Sequence, residues 1–192
     1  MTRAKTLMDA AAVAAAIERL AGAVLAGVGE GAALVGIHTR GIPIARRIAA
    51  RIGAASGEAP PLGELDIGLY RDDVARGRER PVLRRTEIRF PLDDRVVVLV
   101  DDVLFTGRTI RAALDALTDL GRPRAIRLGV LVDRGGRELP IQADFVGATL
   151  AVPPELAVEV RLEEVDGGPD RVLAVPWADR RADAARQEDR SP

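Results

Sequence analysis

The chain has 192 residues, 47% of them apolar and 30% charged, enough for one domain with a full hydrophobic core. Its 28 Lys and Arg stand against 29 Asp and Glu, a net charge of −1, so no global positive field draws it to nucleic acid and any RNA contact needs a local patch. With no cysteine and one histidine, His38, it excludes disulfides, thiolate catalysis and Cys/His zinc sites, and leaves carboxylates, arginines, hydroxyls, backbone amides or a metal to carry chemistry.

The first element expected is an amphipathic helix: Val13, Ile17, Leu20 and Val24 share one face, and Asp9 is placed to cap it. Arg3 and Lys5 ahead of an alanine-rich run imitate a signal peptide, but Asp9 and the pair Glu18 and Arg19 interrupt it. No apolar run is expected to be long enough to span a membrane, and a cytosolic protein is expected. The glycines of 27–31 follow a helix instead of a strand, which marks a turn and not a nucleotide loop.

Residues 33–38 read as a short buried strand. His38 at its end is read as structural or incidental. Thr39, Arg40 and Gly41 form a tight loop before a helix over 42–52, with Pro43 in its first turn, Ile44, Ile48 and Ile52 on one face, and Gly53 as its stop. A strand over 62–70 alternates Leu65, Ile67 and Leu69. Residues 71–85 are charged and without apolar period, a mobile loop or a solvated ribbon, and 87–90 suggest a returning strand. Five successive apolar residues, Val96 to Val100, are what a central parallel strand with both faces covered requires. A helix over 106–120 turns Ile110, Leu114 and Leu117 inward and ends at Gly121 and Pro123. Strands follow over 125–132, 143–146, 156–165 and 171–175, and the polar stretch 178–192 is expected to fray. The alternation implies an α/β protein with a parallel sheet wound on both faces.

The informative segment is 97–109. A buried strand delivers Asp101 and Asp102 at its C-terminal end, where open α/β sheets bind ligands. Thr106, Gly107, Arg108 and Thr109 then open a helix whose first N–H groups are unpaired, a place for a phosphate dianion. Adjacent carboxylates repel phosphate unless they face sugar hydroxyls or a divalent cation, and the pieces together fit ribose 5-phosphate. Taken alone, the acidic pair could belong to a phosphoacceptor domain or serve as helix caps.

Residues 97–109 resemble the segment of type I phosphoribosyltransferases that binds phosphoribosyl pyrophosphate (PRPP). Three further stretches, LVGIHTRG at 34–41, IGLYRDD at 67–73 and VLVDRGGRELPI at 130–141, resemble the PyrR family, which combines uracil phosphoribosyltransferase activity with control of pyrimidine-operon mRNA. The similarity runs from Met8 to Val175. It implies the type I phosphoribosyltransferase fold, a single domain over 1–177 with a lid loop at about 71–86, a small C-terminal β extension and a flexible tail at 178–192.

The implied reaction is uracil plus PRPP to UMP plus diphosphate. Asp101 and Asp102 would hold the ribose hydroxyls and, largely through PRPP, Mg2+. Val103, Leu104, Phe105, Thr106, Gly107, Arg108 and Thr109 would surround the ribose and its phosphate. Thr39, Arg40 and Gly41 resemble the pyrophosphate loop, Arg40 supplying a guanidinium fork, although an ordinary turn with an exposed arginine is the plain alternative. Phe105 stands where purine-using relatives carry a carboxylate, which argues for a pyrimidine. Val132, Asp133 and Arg134 are placed to read uracil, unless Arg134 pairs structurally with Asp133 or Glu138.

For RNA the sequence departs from the family pattern. Arg19 and Arg137 remain as candidate RNA contacts, but Glu18, Gly22 and Gly136 replace expected hydroxyl or histidine residues, and 148–154 lacks the lysine and hydroxyl cluster. Three readings stay open: an enzyme that also regulates mRNA, an enzyme with lost RNA binding, and a catalytically weak nucleotide-sensing regulator. The family also implies a dimer or larger assembly.

Overall fold

The apolar run at Val96 becomes the centre of the molecule. In the computed structural model, which describes residues 4–29, 31–70 and 85–179, strand β4 (Val96–Leu104) lies in the middle of a five-stranded sheet. Its neighbours are β2 (Ala33–Ile37), edged by β3 (Leu62–Leu65), and β5 (Ala125–Asp133), edged by β6 (Phe145–Thr149), and every pairing is parallel. Leu34, Val98 and Val100 face helices α1 (Ala10–Val28) and α2 (Gly41–Ser56), while Val35, Val97 and Leu99 face α3 (Arg108–Leu120). Alternation along each strand thus feeds two cores, one on each side of the sheet.

The small β extension is an antiparallel sheet in the order β1 (Lys5–Met8), β8 (Arg171–Pro176), β7 (Leu156–Arg161). A single-turn helix, α4 (Glu163–Asp166), joins β7 to β8. Val158, Val160 and Val172 extend the α1–α2 core into this second sheet.

Asp9 caps α1 as expected, accepting from Ala12 N at 2.9 Å, and Val13, Ile17, Leu20 and Val24 are all buried. Several boundaries move. Helix α2 runs through Gly53 and stops at Gly57, whose φ of 88° suits glycine; Gly53 instead lets Ala59 pack close. The strand expected over 62–70 ends at Leu65, because the Asp66 side chain accepts from Gly68 N (2.9 Å) and turns the chain into a 3-10 turn, Gly68–Tyr70, that leaves Leu69 69% exposed. Residues 87–90 supply only a bridge between Glu64 and Glu87. The strand placed at 143–146 forms at Phe145–Thr149, and that placed at 156–165 gives way to α4 after Arg161.

One expectation is corrected outright: α1 is long and apolar enough, by length and composition, to cross a membrane. Alanine supplies that character, while Val13, Ile17, Leu20 and Val24 pack into the core and Glu18 and Arg19 lie exposed. Of the expected lid, 71–84, and of the expected tail, everything from 180 onward, lie outside the described residues.

Candidate active site

Strand β4 carries the acidic pair further than the sequence suggests, since it continues through Asp101 and Asp102 to Leu104. Asp101 is buried, 6% exposed, and accepts from Asp102 N at 2.9 Å; Asp102 is half-buried and accepts from Val103 N at 2.8 Å. Each carboxylate thus keeps one oxygen on the backbone, which orients it. Among the described residues no three His, Asp or Glu side chains converge as a metal cage. Two carboxylates suit a magnesium ion whose remaining ligands are substrate oxygens and water, so the residues fit such an ion.

The helix after the pair starts at Arg108, two residues later than expected, because Gly107 takes φ 92° as its N-cap. The N-cap Gly107 has no side chain to bond the helix start, and only a long contact, Arg108 N donating to Thr106 Oγ1 at 3.4 Å, occupies the first amide, which leaves the following N–H groups of α3 to an anion. Leu139 and Ile141 close on Gly107, and Thr106 O accepts from Glu138 N and Leu139 N, so the 136–141 loop braces the β4–α3 loop from behind. Arg108 pairs with Glu138 at the surface, Thr109 is exposed, and the Leu104 side chain belongs to the core, leaving only its backbone for a ligand.

The turn at Thr39, Arg40 and Gly41 is pressed onto this strand. A Cβ on Gly41 would lie 2.3 Å from Val100 O, and one on Gly36 2.6 Å from Ile42 Cα, so glycine at both positions lets the turn approach β4. Arg40 is not the exposed arginine of an ordinary turn. It forks onto Asp166, Nε donating at 3.2 Å and Nη2 at 2.5 Å, with Asp166 only 8% exposed. Burial disfavours its charge, but the bonded Asp166, with Asp102 and Glu159 nearby, holds its pKa above the ordinary arginine value. His38, at the end of β2, lies 3.9 Å from Glu64.

The register of β4 with β5 sets Val103 beside Val132 and Leu104 beside Asp133, which brings the expected uracil-reading residues to the same sheet end. Arg134 is buried. Its guanidinium donates to Leu156 O at 2.7 Å and stacks over Phe105 at 4.3 Å, with Trp177 at 5.7 Å. Asp133 pairs with Arg137 (2.5 Å). Arg137 also donates to the carbonyls of Ile141 and Phe105, at 2.9 and 3.1 Å, and so ties the β5–β6 connection to the β4–α3 loop. Gly136 has φ 78°, and a Cβ there would meet the Phe105 ring at 2.5 Å. Arg19 lies on the exposed face of α1 with its fork on Gly147 O at 3.1 and 2.8 Å.

The model of the phosphoribosyl transferase domain matches residues 3–160. The bifunctional protein PyrR of Thermus aquaticus is 62% identical over 143 residues, 74% of this chain and 78% of that one. That of a Roseiflexus species is 52% identical over 174 residues, 89% and 94% of the two chains. The chain belongs to the PyrR family of phosphoribosyltransferases. Its fold is that of type I phosphoribosyltransferases. A hypoxanthine-guanine phosphoribosyltransferase from Bacillus anthracis superposes with TM-score 0.65 at 14% identity, over 91% of this chain and 99% of that one. The hypoxanthine phosphoribosyltransferase of Trypanosoma cruzi, in complex with IMP, gives 0.66 at 16%, over 91% and 95%. At such identities the likeness concerns the fold alone.

Sequence reasoning missed Asp166 and Trp177. Asp166 falls in an acidic stretch that reads as a strand end. Trp177, the one tryptophan, follows the last strand and carries no periodic signal; its ring lies 5.7 Å from Phe105 and its Nε1 donates to Pro154 O at 2.9 Å.

Proposed function

We propose that this chain transfers ribose 5-phosphate from PRPP to uracil, giving UMP and diphosphate, and that its UMP-bound form contacts pyrimidine-operon leader mRNA. One observation carries the enzymatic half: an acidic pair on β4, the glycine-capped start of α3 and the 39–41 turn meet at one end of the sheet. Carboxylates for hydroxyls, amides for the 5-phosphate and a second turn for pyrophosphate are the three contacts PRPP needs.

As pyrophosphate leaves, the ribose gains oxocarbenium character, and no protein nucleophile is required. Asp101 and Asp102 orient the ring hydroxyls and favour positive charge on it. The α3 amides with Thr106 and Thr109 hold the 5-phosphate. Arg40 and the amides of its turn receive the pyrophosphate. Asp101 and Asp102 would hold magnesium, largely through PRPP, and the ion would supply neutralising charge for the pyrophosphate. Uracil is favoured over a purine because Phe105, packed against Arg134, offers no proton acceptor to N7 of a purine. The backbone of Val132, whose side chain is buried in the core, and Asp133 are then left to read the base edge, with Arg134 bracing Phe105 from behind.

Asp102→Asn keeps an oxygen for Val103 N but loses the charge. It is expected to cut uracil-dependent pyrophosphate release by roughly a hundredfold or more at unchanged melting temperature. Assays with uracil, orotate and hypoxanthine side by side check the base, and unchanged turnover in the variant removes the role given to the acidic pair. A second reading, a phosphoribosyltransferase with weakened RNA binding, is favoured by Arg137, whose guanidinium is engaged inside the protein.

A further inference from the structure

We propose that Asp166 is a positioning residue for the pyrophosphate-bearing substrate: by clamping Arg40 it fixes the 39–41 turn against β4 and keeps that guanidinium off the acidic pair. The inference rests on reading this turn as the pyrophosphate loop.

Asp166 stands outside the sheet end where the ligand would lie, in the single-turn helix of the second sheet, yet it is 8% exposed and its oxygens are committed. Oδ1 takes Arg40 Nη2 at 2.5 Å; Oδ2 takes Arg40 Nε at 3.2 Å and Leu162 N at 2.9 Å. Nη1 takes no part in this fork. A buried ion pair adds little stability over an apolar replacement, whereas a two-point fork fixes direction. Two helical turns further along α2, Arg47 repeats the device. It forks onto Glu164 at 2.9 and 2.6 Å, and it also bonds Asp170, which accepts from Glu163 N at 3.0 Å. Helix α2 is therefore bolted to the β7–β8 connection at its start and in its middle. From the other side, the Val100 carbonyl presses on Gly41. The turn is held between two fixed walls.

The charges explain why a clamp is needed. Arg40 feels Asp102 as well as Asp166. Without Asp166, the guanidinium would be drawn to Asp102, occupying the carboxylate assigned to the ribose and vacating the place of the pyrophosphate. Asp166 thus pre-organises the turn for an anion that has yet to arrive.

The test compares two ligands, since UMP carries the 5-phosphate and ribose but no pyrophosphate. In Asp166→Asn, PRPP affinity measured by calorimetry with magnesium is expected to fall about tenfold or more, with UMP affinity unchanged. Asp166→Glu, which keeps the buried charge but shifts its reach, is expected to show the same selective loss and carries the test if the Asn variant does not fold. In the double variant with Arg40→Lys the losses should not add, because the two residues act as one unit. PRPP affinity equal to the native chain's, or PRPP and UMP weakening in parallel, overturns the role of Asp166. A native chain that binds neither ligand overturns the reading of the site itself, so the two failures are distinguishable.

Discussion

Gly41 and Gly22 show how differently one residue type can be used. A Cβ at Gly41 meets Val100 O at 2.3 Å and Asp101 Cα at 3.4 Å, whereas one at Gly22, on the exposed face of α1, meets nothing within 4 Å. Gly41→Ala must therefore push the turn off β4, and a loss of about 1–3 kcal/mol in urea denaturation, together with weaker PRPP binding, is expected. Gly22→Ala relieves a helix-interior glycine and should add roughly 0.5–1 kcal/mol. Equal effects at the two positions would mean that the turn does not need its close approach. At this scale the sequence was a good guide to placement where it is local: Asp101, Asp102 and Gly107 fall on one short stretch of backbone that a strand-to-helix junction places by itself. It was a poor guide to arginines. Arg134 reaches the Leu156 carbonyl 22 positions away, and Arg137, besides its local partners Asp133 and Ile141, reaches the Phe105 carbonyl 32 positions away; nothing beside them in the chain announces those two carbonyls.

Helix α2 and the β7–β8 connection illustrate what elements add. Arg47 is the largest cause of the lowered pKa of both Glu164 and Asp170, through its hydrogen bonds to them. Their stabilising contribution is present above the usual carboxylate range and is lost as pH falls through the depressed folded values. Thermal melts below about pH 4 should therefore lose stability more steeply in the native chain than in Arg47→Gln. The difference will be modest because Glu164 is 46% exposed and water screens it. Identical acid limbs would remove this clamp from the account. Long periodic elements such as α1 and α3, and the unbroken apolar strand β4, were legible in sequence. The four-residue β1 and α4 were not, since β1 exists only by pairing with β8, Lys5 opposite Ala174, and α4 only by the contacts its acids make with α2.

For the whole molecule the balance of charge sets the terms of RNA contact. With a net charge of −1, affinity for a leader RNA has to come from a local patch. On the exposed face of α1, Glu18 pairs with Arg51 and Arg19 is forked on Gly147 O. Filter binding of pyrimidine-operon leader RNA should accordingly be detectable at about 50 mM salt, strengthened by UMP, and should collapse by about 200 mM. No binding at the lower salt eliminates the regulatory half of the proposal and leaves a phosphoribosyltransferase.

The sequence by itself determined the parallel α/β layering and the strand-to-helix junction that carries Asp101, Asp102 and Gly107, because both follow from short-range rules: apolar period, β-branching, and glycine at the mouth of a helix. Tertiary structure alone decided which charges are available to a ligand. A guanidinium has five donors on a long arm and takes the best acceptors within reach; for Arg40 and Arg134 those acceptors stand on elements that only folding brings near, and so does the Phe105 carbonyl that Arg137 reaches beside its local partners Asp133 and Ile141.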